Sequence, residues 1–160
     1  MCGRYVQTMP ADAMRELFRT QGAPPNLAPS WNVAPTQSAP VVRRHPETGE
    51  RHLDPLRWGL RPRWAKVEKG AREPINARAE TVATNGMFRS AFSSARALVP
   101  MTGYYEWQEV VEGGKKVKNP SYIHAPGDEL LAAAGLIAAR QDDDGTWSTT
   151  FTIITRTGED

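Results

Sequence analysis

The sequence predicts an α+β, mainly β domain whose sheet curls on itself, with a few short helices beside it. Three observations carry that expectation. Apolar runs of strand length, cut by glycine and aspartate turns, fill the second half of the chain. Helical periodicity is confined to two short stretches. The 160 residues, 39% of them hydrophobic, suffice for one domain with one real core.

Taken in chain order, ADAMRELFRT puts Met14, Leu17 and Phe18 on one helical face. GAPPNLAPSWNVAPTQ (residues 22–37) has too many prolines for helix or central strand and reads as an extended surface loop. VVRR and HLDPLRW are strands flanking the turn HPETGE. FRSAFSSA is a short helix with Phe88 and Phe92 at i, i+4. ALVP and GYYEWQEV are strand-like, and EGGKK turns into a strand around SYIH. PGDE then turns into LLAAAGLIAA, and DDDG into TWSTTFTIIT. The expected total is six or seven strands. A sheet that ended at FTII, just before TRTGED, would leave an edge needing cover, so the expectation is an incomplete chain.

Composition narrows the function classes. The longest apolar run, LLAAAGLIAA, is too short to span a bilayer, and the N-terminus has no secretory h-region. The reading is cytoplasmic, with no membrane partner. A single cysteine, Cys2, excludes an internal disulfide and a cysteine-based zinc site, and in a reducing compartment it stays a thiol. His45, His52 and His124 have no metal-ligand spacing, so no metal and no cofactor are expected. The net charge of +2 is uneven. Residues 57–96 hold nine arginines and lysines against Glu68, Glu73 and Glu80, while the tail from Asp128 is acidic. A basic segment reads as a solvated face or as a surface for an anionic partner such as nucleic acid.

Cys2 is the residue with most chemistry. A free cysteine is commonly a small buried hydrophobe. Here it follows Met1, which methionine aminopeptidases remove before a small residue, and it precedes Gly3, which lets backbone approach a ligand. Removal of Met1 leaves an amine of pKa about 7.7–8.0, against about 10.4 for lysine. The neutral, nucleophilic form is then about a few hundred times more abundant than for a lysine. The 1,2-aminothiol can close on an aldehyde as a thiazolidine, or its thiolate can attack an amide with the amine as base. Both chemistries stay open at this level.

Three further segments matter. In PINARAET, Asn76 precedes a helix-capable run, which makes it an N-cap candidate, with Arg78 and Glu80 as exposed charges. In GYYEWQ, strand alternation puts Tyr104, Glu106 and Gln108 on one face and Tyr105 and Trp107 on the other. Glu106 is either an edge-strand surface charge or a general acid, since desolvation among aromatics favours a protonated carboxyl. WGLRPRWAK interleaves Trp58 and Trp64 with Arg61, Arg63 and Lys66, the pattern of a single-strand-binding surface. Trp58 fits a core position as well. Trp64, among charges, does not.

MCGRY, WNVAPTQ, LRWGLRPRWAK, INARAETV, LVPMTGYYEWQ and LAAAGL occur in this order and at sensible intervals, from Cys2 to about Thr155. The set resembles the SRAP family (SOS response-associated peptidase), also called abasic-site processing proteins. The resemblance implies a barrel-like mixed β fold, a pseudo-barrel, with a basic cleft for single-stranded DNA containing abasic sites. It implies that Cys2 forms a thiazolidine crosslink with the ring-opened aldehyde of the lesion. By the same resemblance Asn76 orients the reacting amine or sugar and Glu106 is the acid/base. Gly3, Arg4, Arg61, Arg63 and Arg78 then line the DNA path, and Trp64 is a stacking wedge. The protein would work as a monomer without an obligatory protein partner, cytoplasmic and on the nucleoid when bound to DNA. The family also carries a histidine in a motif resembling HDRMP, downstream of the strand that here reads FTIITRTGED. The expectation is therefore one domain over residues 1–160 that lacks its C-terminal portion, retains the crosslinking half of the site and loses part of its efficiency. Two other readings are an N-terminal-nucleophile amidohydrolase, which also begins Cys-Gly after Met removal, and a non-covalent single-stranded-DNA-binding module.

Overall fold

A computed structural model describes residues 2–65 and 70–158; Met1 and Lys66, which entered the reading above, lie outside the described residues. Its centre is a barrel. The hairpin Ser38–Arg44 (β3) and Arg51–Trp58 (β4) turns at residues 45–50, as the sequence predicts, with Arg44 opposite Arg51. Strands Arg96–Met101 (β6), Leu131–Gln141 (β9) and Trp147–Thr155 (β10) extend the sheet in the order β4-β3-β6-β9-β10. A short parallel pairing, Thr150 with Arg57 and Phe151 with Trp58, then joins β10 back to β4 and closes five strands on themselves. The expected curled, mixed sheet is thus a closed one. Gly135 sits where a side chain would press on Val99 Cγ2 at 3.0 Å and the Thr152 carbonyl at 3.1 Å, which makes glycine a packing requirement there.

A second sheet has the order β2-β1-β7-β8. It comprises Tyr5–Gln7 (β1), Ser30–Val33 (β2), Gly103–Glu112 (β7) and Lys115–His124 (β8), all antiparallel. The two sheets are joined through Thr102, which separates β6 from β7 and donates its N–H to the Val6 carbonyl at 2.7 Å. Asn76–Arg78 (β5) hangs in parallel on β10, outside the closed ring. Helix Ala11–Phe18 (α1) covers Val42 and Leu53 through Met14, and helix Arg89–Ser94 (α2) follows the buried Phe88, with Phe92 packed in the same cluster.

The main core holds Tyr5, Trp58 and Phe151 with small aliphatics from β2, β3 and β6. Trp58 lies parallel to Phe151, with centroids 6.2 Å apart, and meets Tyr5 edge-on at 5.3 Å. Its indole N–H donates to the Ile75 carbonyl at 2.9 Å. That single bond satisfies the ring's polar atom, which is why so large a side chain can be fully buried.

Four expectations change. Among the described residues ten strands form rather than six or seven, because β1 and β5 have three residues each, too few to display a period of two. Part of the proline-rich stretch becomes β2, which is an edge strand and so tolerates prolines around it. Asn76 opens a strand instead of capping a helix, and residues 79–84 form turns. Strand β10 is no edge, since β9 flanks it on one side and β4 and β5 on the other. Within α1, Leu17 is 58% exposed although it shares a helical face with Met14. The helix ends within two residues, at the left-handed Arg19 (φ 53°), and its eight residues present only a narrow stripe to the barrel.

Candidate active site

Cys2 is a core residue, 6% exposed, in the cluster that holds Tyr5, Trp58, Met101 and Phe151. The chain start is held there by β1, whose Tyr5 and Val6 pair with Tyr104 and Gly103. One residue earlier the Tyr105 N–H donates to the Arg4 carbonyl at 3.0 Å. The N-terminal residues therefore run beside the GYYEW segment of β7.

The electrostatics locate Glu106. Burial pushes the Cys2 thiol from its usual 9.0 up to about 11, the Glu106 carboxylate adds to the rise, and a hydrogen bond from the Arg4 backbone opposes it. Glu106, half-buried, is thus close enough for its charge to be felt at the sulfur. Tyr5 lies well above the ordinary phenol range, through burial first and Cys2 second. Its hydroxyl is buried without a hydrogen-bond partner among the described residues.

Asn76 is carried by β5, alongside β10. It stands opposite Ile153, and its side-chain N–H donates to the Ile153 carbonyl at 3.5 Å. The neighbouring Ile75 packs on the cluster that contains Cys2. The Asn76 Oδ1 is buried with no hydrogen-bond partner among the described residues. An orphan acceptor of this kind costs about 1–3 kcal/mol, and it is the natural counterpart of an N–H or O–H donor brought by a ligand.

The cations divide into two groups. Arg61 and Arg57 both grip Glu73, at 2.6 and 2.5 Å. Burial alone would raise the Glu73 pKa, but hydrogen bonds from Arg57 and Arg61 outweigh it and hold the carboxyl below its usual value. Arg61 is therefore already partnered, and its main-chain N–H also donates to Thr150 Oγ1 at 2.8 Å. Arg63 and Arg78 are exposed, and Arg4 is half-buried with its guanidinium 3.4 Å from the Gly3 carbonyl. Trp64 is 64% exposed in the turn after Pro62, whereas Trp58 is fully buried, so the two tryptophans of WGLRPRW have opposite environments.

Sequence reasoning singled out Cys2, Asn76 and Glu106; the fold sets Glu106 within electrostatic reach of Cys2 and places Asn76 beside Ile153, a member of the core cluster that holds Cys2. It missed Tyr5, whose ring and hydroxyl lie against the same cluster; its place three residues after Cys2 in MCGRY was the available signal. It also missed Glu73 as a clamp, visible only as a lone acid among arginines. The histidines lie elsewhere. His45 and His52 face each other at 5.8 Å across the β3–β4 hairpin, and His124 is exposed beside Asp128. Among the described residues no group of three or more His, Cys, Asp or Glu side chains comes together, and no helix is long and apolar enough to cross a membrane.

Comparison with known proteins extends this geometry. The chain is 36% identical over 157 residues to the abasic site processing protein YoqW of Bacillus subtilis, covering 97% of this chain and 68% of the relative. It is 32% identical over 162 residues to the abasic site processing protein YedK of Escherichia coli, covering 97% and 67%. A crystal structure of a protein from Bacteroides thetaiotaomicron superposes with a TM-score of 0.79 at 28% identity, over 97% of this chain and 68% of that one. The family model described as SOS response associated peptidase (SRAP) matches residues 1–160. A barrel that seats an N-terminal Cys-Gly beside the glutamate of YYEW, matched to that model end to end, places this chain in the SRAP family.

Proposed function

We propose that this protein processes abasic sites in single-stranded DNA by bonding covalently to the lesion through Cys2 after Met1 is removed. The observation that carries the reading is the seating of Cys2 beside Glu106 at one barrel end, in a chain whose relatives are named abasic site processing proteins. The α-amine adds to the aldehyde carbon of the ring-opened sugar, and the carbinolamine loses water to give an imine. The thiol then adds to the imine carbon while its proton passes to nitrogen. Two bonds form to one carbon, one water leaves, and the product is a five-membered thiazolidine. Glu106 takes up the proton released as the amine adds and returns it to the departing water, and Asn76 Oδ1 accepts from the attacking amine. Exposed Arg63 and Arg78 meet phosphates, and Trp64 stacks on a base beside the lesion.

The thiol pKa favours this chemistry over amide hydrolysis. With a pKa near 11, only about one sulfur in ten thousand is thiolate at neutral pH, which makes a poor amidohydrolase nucleophile. Thiazolidine formation starts instead at the amine. The sulfur acts second, beside an iminium whose positive charge lowers the thiol pKa when it is needed.

The test is to incubate Met1-processed protein with a single-stranded oligonucleotide carrying one abasic site and then resolve the products under denaturing conditions. The expected product is a heat-stable adduct whose mass is that of both partners less one water. Cys2→Ala forms none yet still binds the strand. Cys2→Ser keeps the amine and is captured only when borohydride reduces its imine. An adduct of equal yield from Cys2→Ala, or none from the processed wild type, would remove the proposal.

A further inference from the structure

A second concavity, of about 790 Å³, opens at the other end of the barrel. It lies between the turn end of the β3–β4 hairpin, the C-terminal end of α2, and the facing parts of β6 and β9. Arg43, Arg44, Arg51 and Arg96 line it, and no aspartate or glutamate does. Its apolar floor, on the outer face of the sheet, includes Phe18, Val42 and Leu98. Arg43 is held by Asp54 at 2.6 Å, and Arg51 donates to the Phe18 carbonyl at 3.1 Å. Arg44 and Arg96 are exposed, and neither has a carboxylate partner among the described residues. The nearest acids along the chain, Glu47 and Glu50, are outside the lining, and Glu50 faces His52 at 3.5 Å.

This is not an arm of the Cys2 site. The groove backs onto the shared core through Ala97 and Ile137, but Arg44 and Arg96 stand five residues along β3 and β6 from Ala39 and Met101, about 16 Å away.

The geometry points to a second nucleotide-binding site, with a phosphate between Arg44 and Arg96 and an unpaired base or its sugar on the apolar side chains of Phe18 and Leu98. Each half of the lining excludes simpler occupants. A bare phosphate leaves most of the volume and the apolar floor unused. An apolar ligand leaves Arg44 and Arg96 without a counter-charge. Duplex nucleic acid presents phosphates but hides its base faces, so a single-stranded nucleotide unit matches both halves. The site requires no damaged sugar and holds whether or not Cys2 reacts.

The experiment uses undamaged dT12, the mononucleotide dAMP, and a hexaglutamate peptide as competitor. Anisotropy of labelled dT12 is followed from 50 to 200 mM salt for the wild type, R44E/R96E and R44Q/R96Q, with thermal melts to establish that each variant is folded. The double reversal is expected to weaken dT12 binding at least ten-fold. Losing the one phosphate that the two arginines share lowers the slope of log K against log salt by about 0.7. Loss of dAMP binding along with dT12 identifies free nucleotides as occupants too, and loss of dT12 alone identifies a strand. Affinity and slope unchanged in both variants overturn the proposal. So does hexaglutamate displacing dT12 at equal charge concentration, which would mark the groove as an acidic-peptide surface. Adduct formation on abasic DNA too short to reach the groove is unaffected, which separates this result from failure of the Cys2 chemistry.

Discussion

A β-carbon added at Gly3 would meet no atom within 4 Å, and the residue has no left-handed φ, so nothing in the fold demands glycine there. Gly3→Ala is expected to melt within about 0.5 kcal/mol of the wild type, as surface substitutions do. If the open space beside Gly3 is where the lesion approaches, the same variant forms adduct at least several-fold more slowly. Equal rates would show that the approach lies elsewhere. Glu106→Gln keeps the shape of the side chain and removes its acid/base function; adduct formation should slow about 10²-fold, with strand affinity little changed. A single-turnover time course separates the two effects. Cys2 stood out in the sequence by itself, whereas Asn76, locally an N-cap candidate, and Glu106, locally an edge charge or an acid, were singled out through the family resemblance. Tyr5 was not, since a tyrosine after Gly-Arg has no pattern of its own, and only the fold shows its hydroxyl sealed against the Cys2 cluster.

Glu73 ties the residues after β4 to the approach to β5 by holding Arg57 and Arg61 together. Its folded pKa is depressed, so its contribution is present above the unfolded value near 4.5 and is lost as pH falls through the folded one. Glu73→Gln should therefore cost about 1–2 kcal/mol near neutrality, and the gap to wild type should close progressively below pH 4.5. Paired chemical denaturation curves across that range measure it; a constant gap would mean that the clamp is not electrostatic. Legibility at this scale followed length. Strands β9 and β10, with eleven and nine residues, were plain in LLAAAGLIAA and TWSTTFTIIT. Strand β5 draws its existence from β10, because Asn76–Arg78 has no β-branched residue and reads locally as helix-capable.

Over the whole molecule, curling was foreseeable but closure was not, since the parallel β4–β10 contact joins residues about ninety positions apart through two pairs. Stability should be graded accordingly. Amides of β10, paired on both flanks, should exchange only through global unfolding, while the largely exposed outer half of the β7–β8 hairpin opens at lower cost. Exchange mass spectrometry of these peptides tests the order, and equal protection would contradict it. The seating of Cys2 has a further consequence, in biosynthesis. An aminopeptidase must draw the first two residues into its own cleft, which a folded barrel with Cys2 in its core does not permit. If Met1 is excised, the excision therefore belongs to the nascent chain. Strand β1 meets β2 about 25 residues on, but its second flank, β7, is made only about a hundred residues downstream, so at about 5–20 residues per second that flank stays open for roughly 5–20 s. The long reach from Val6 to Gly103 thus delays the pairing that completes the seat of Cys2.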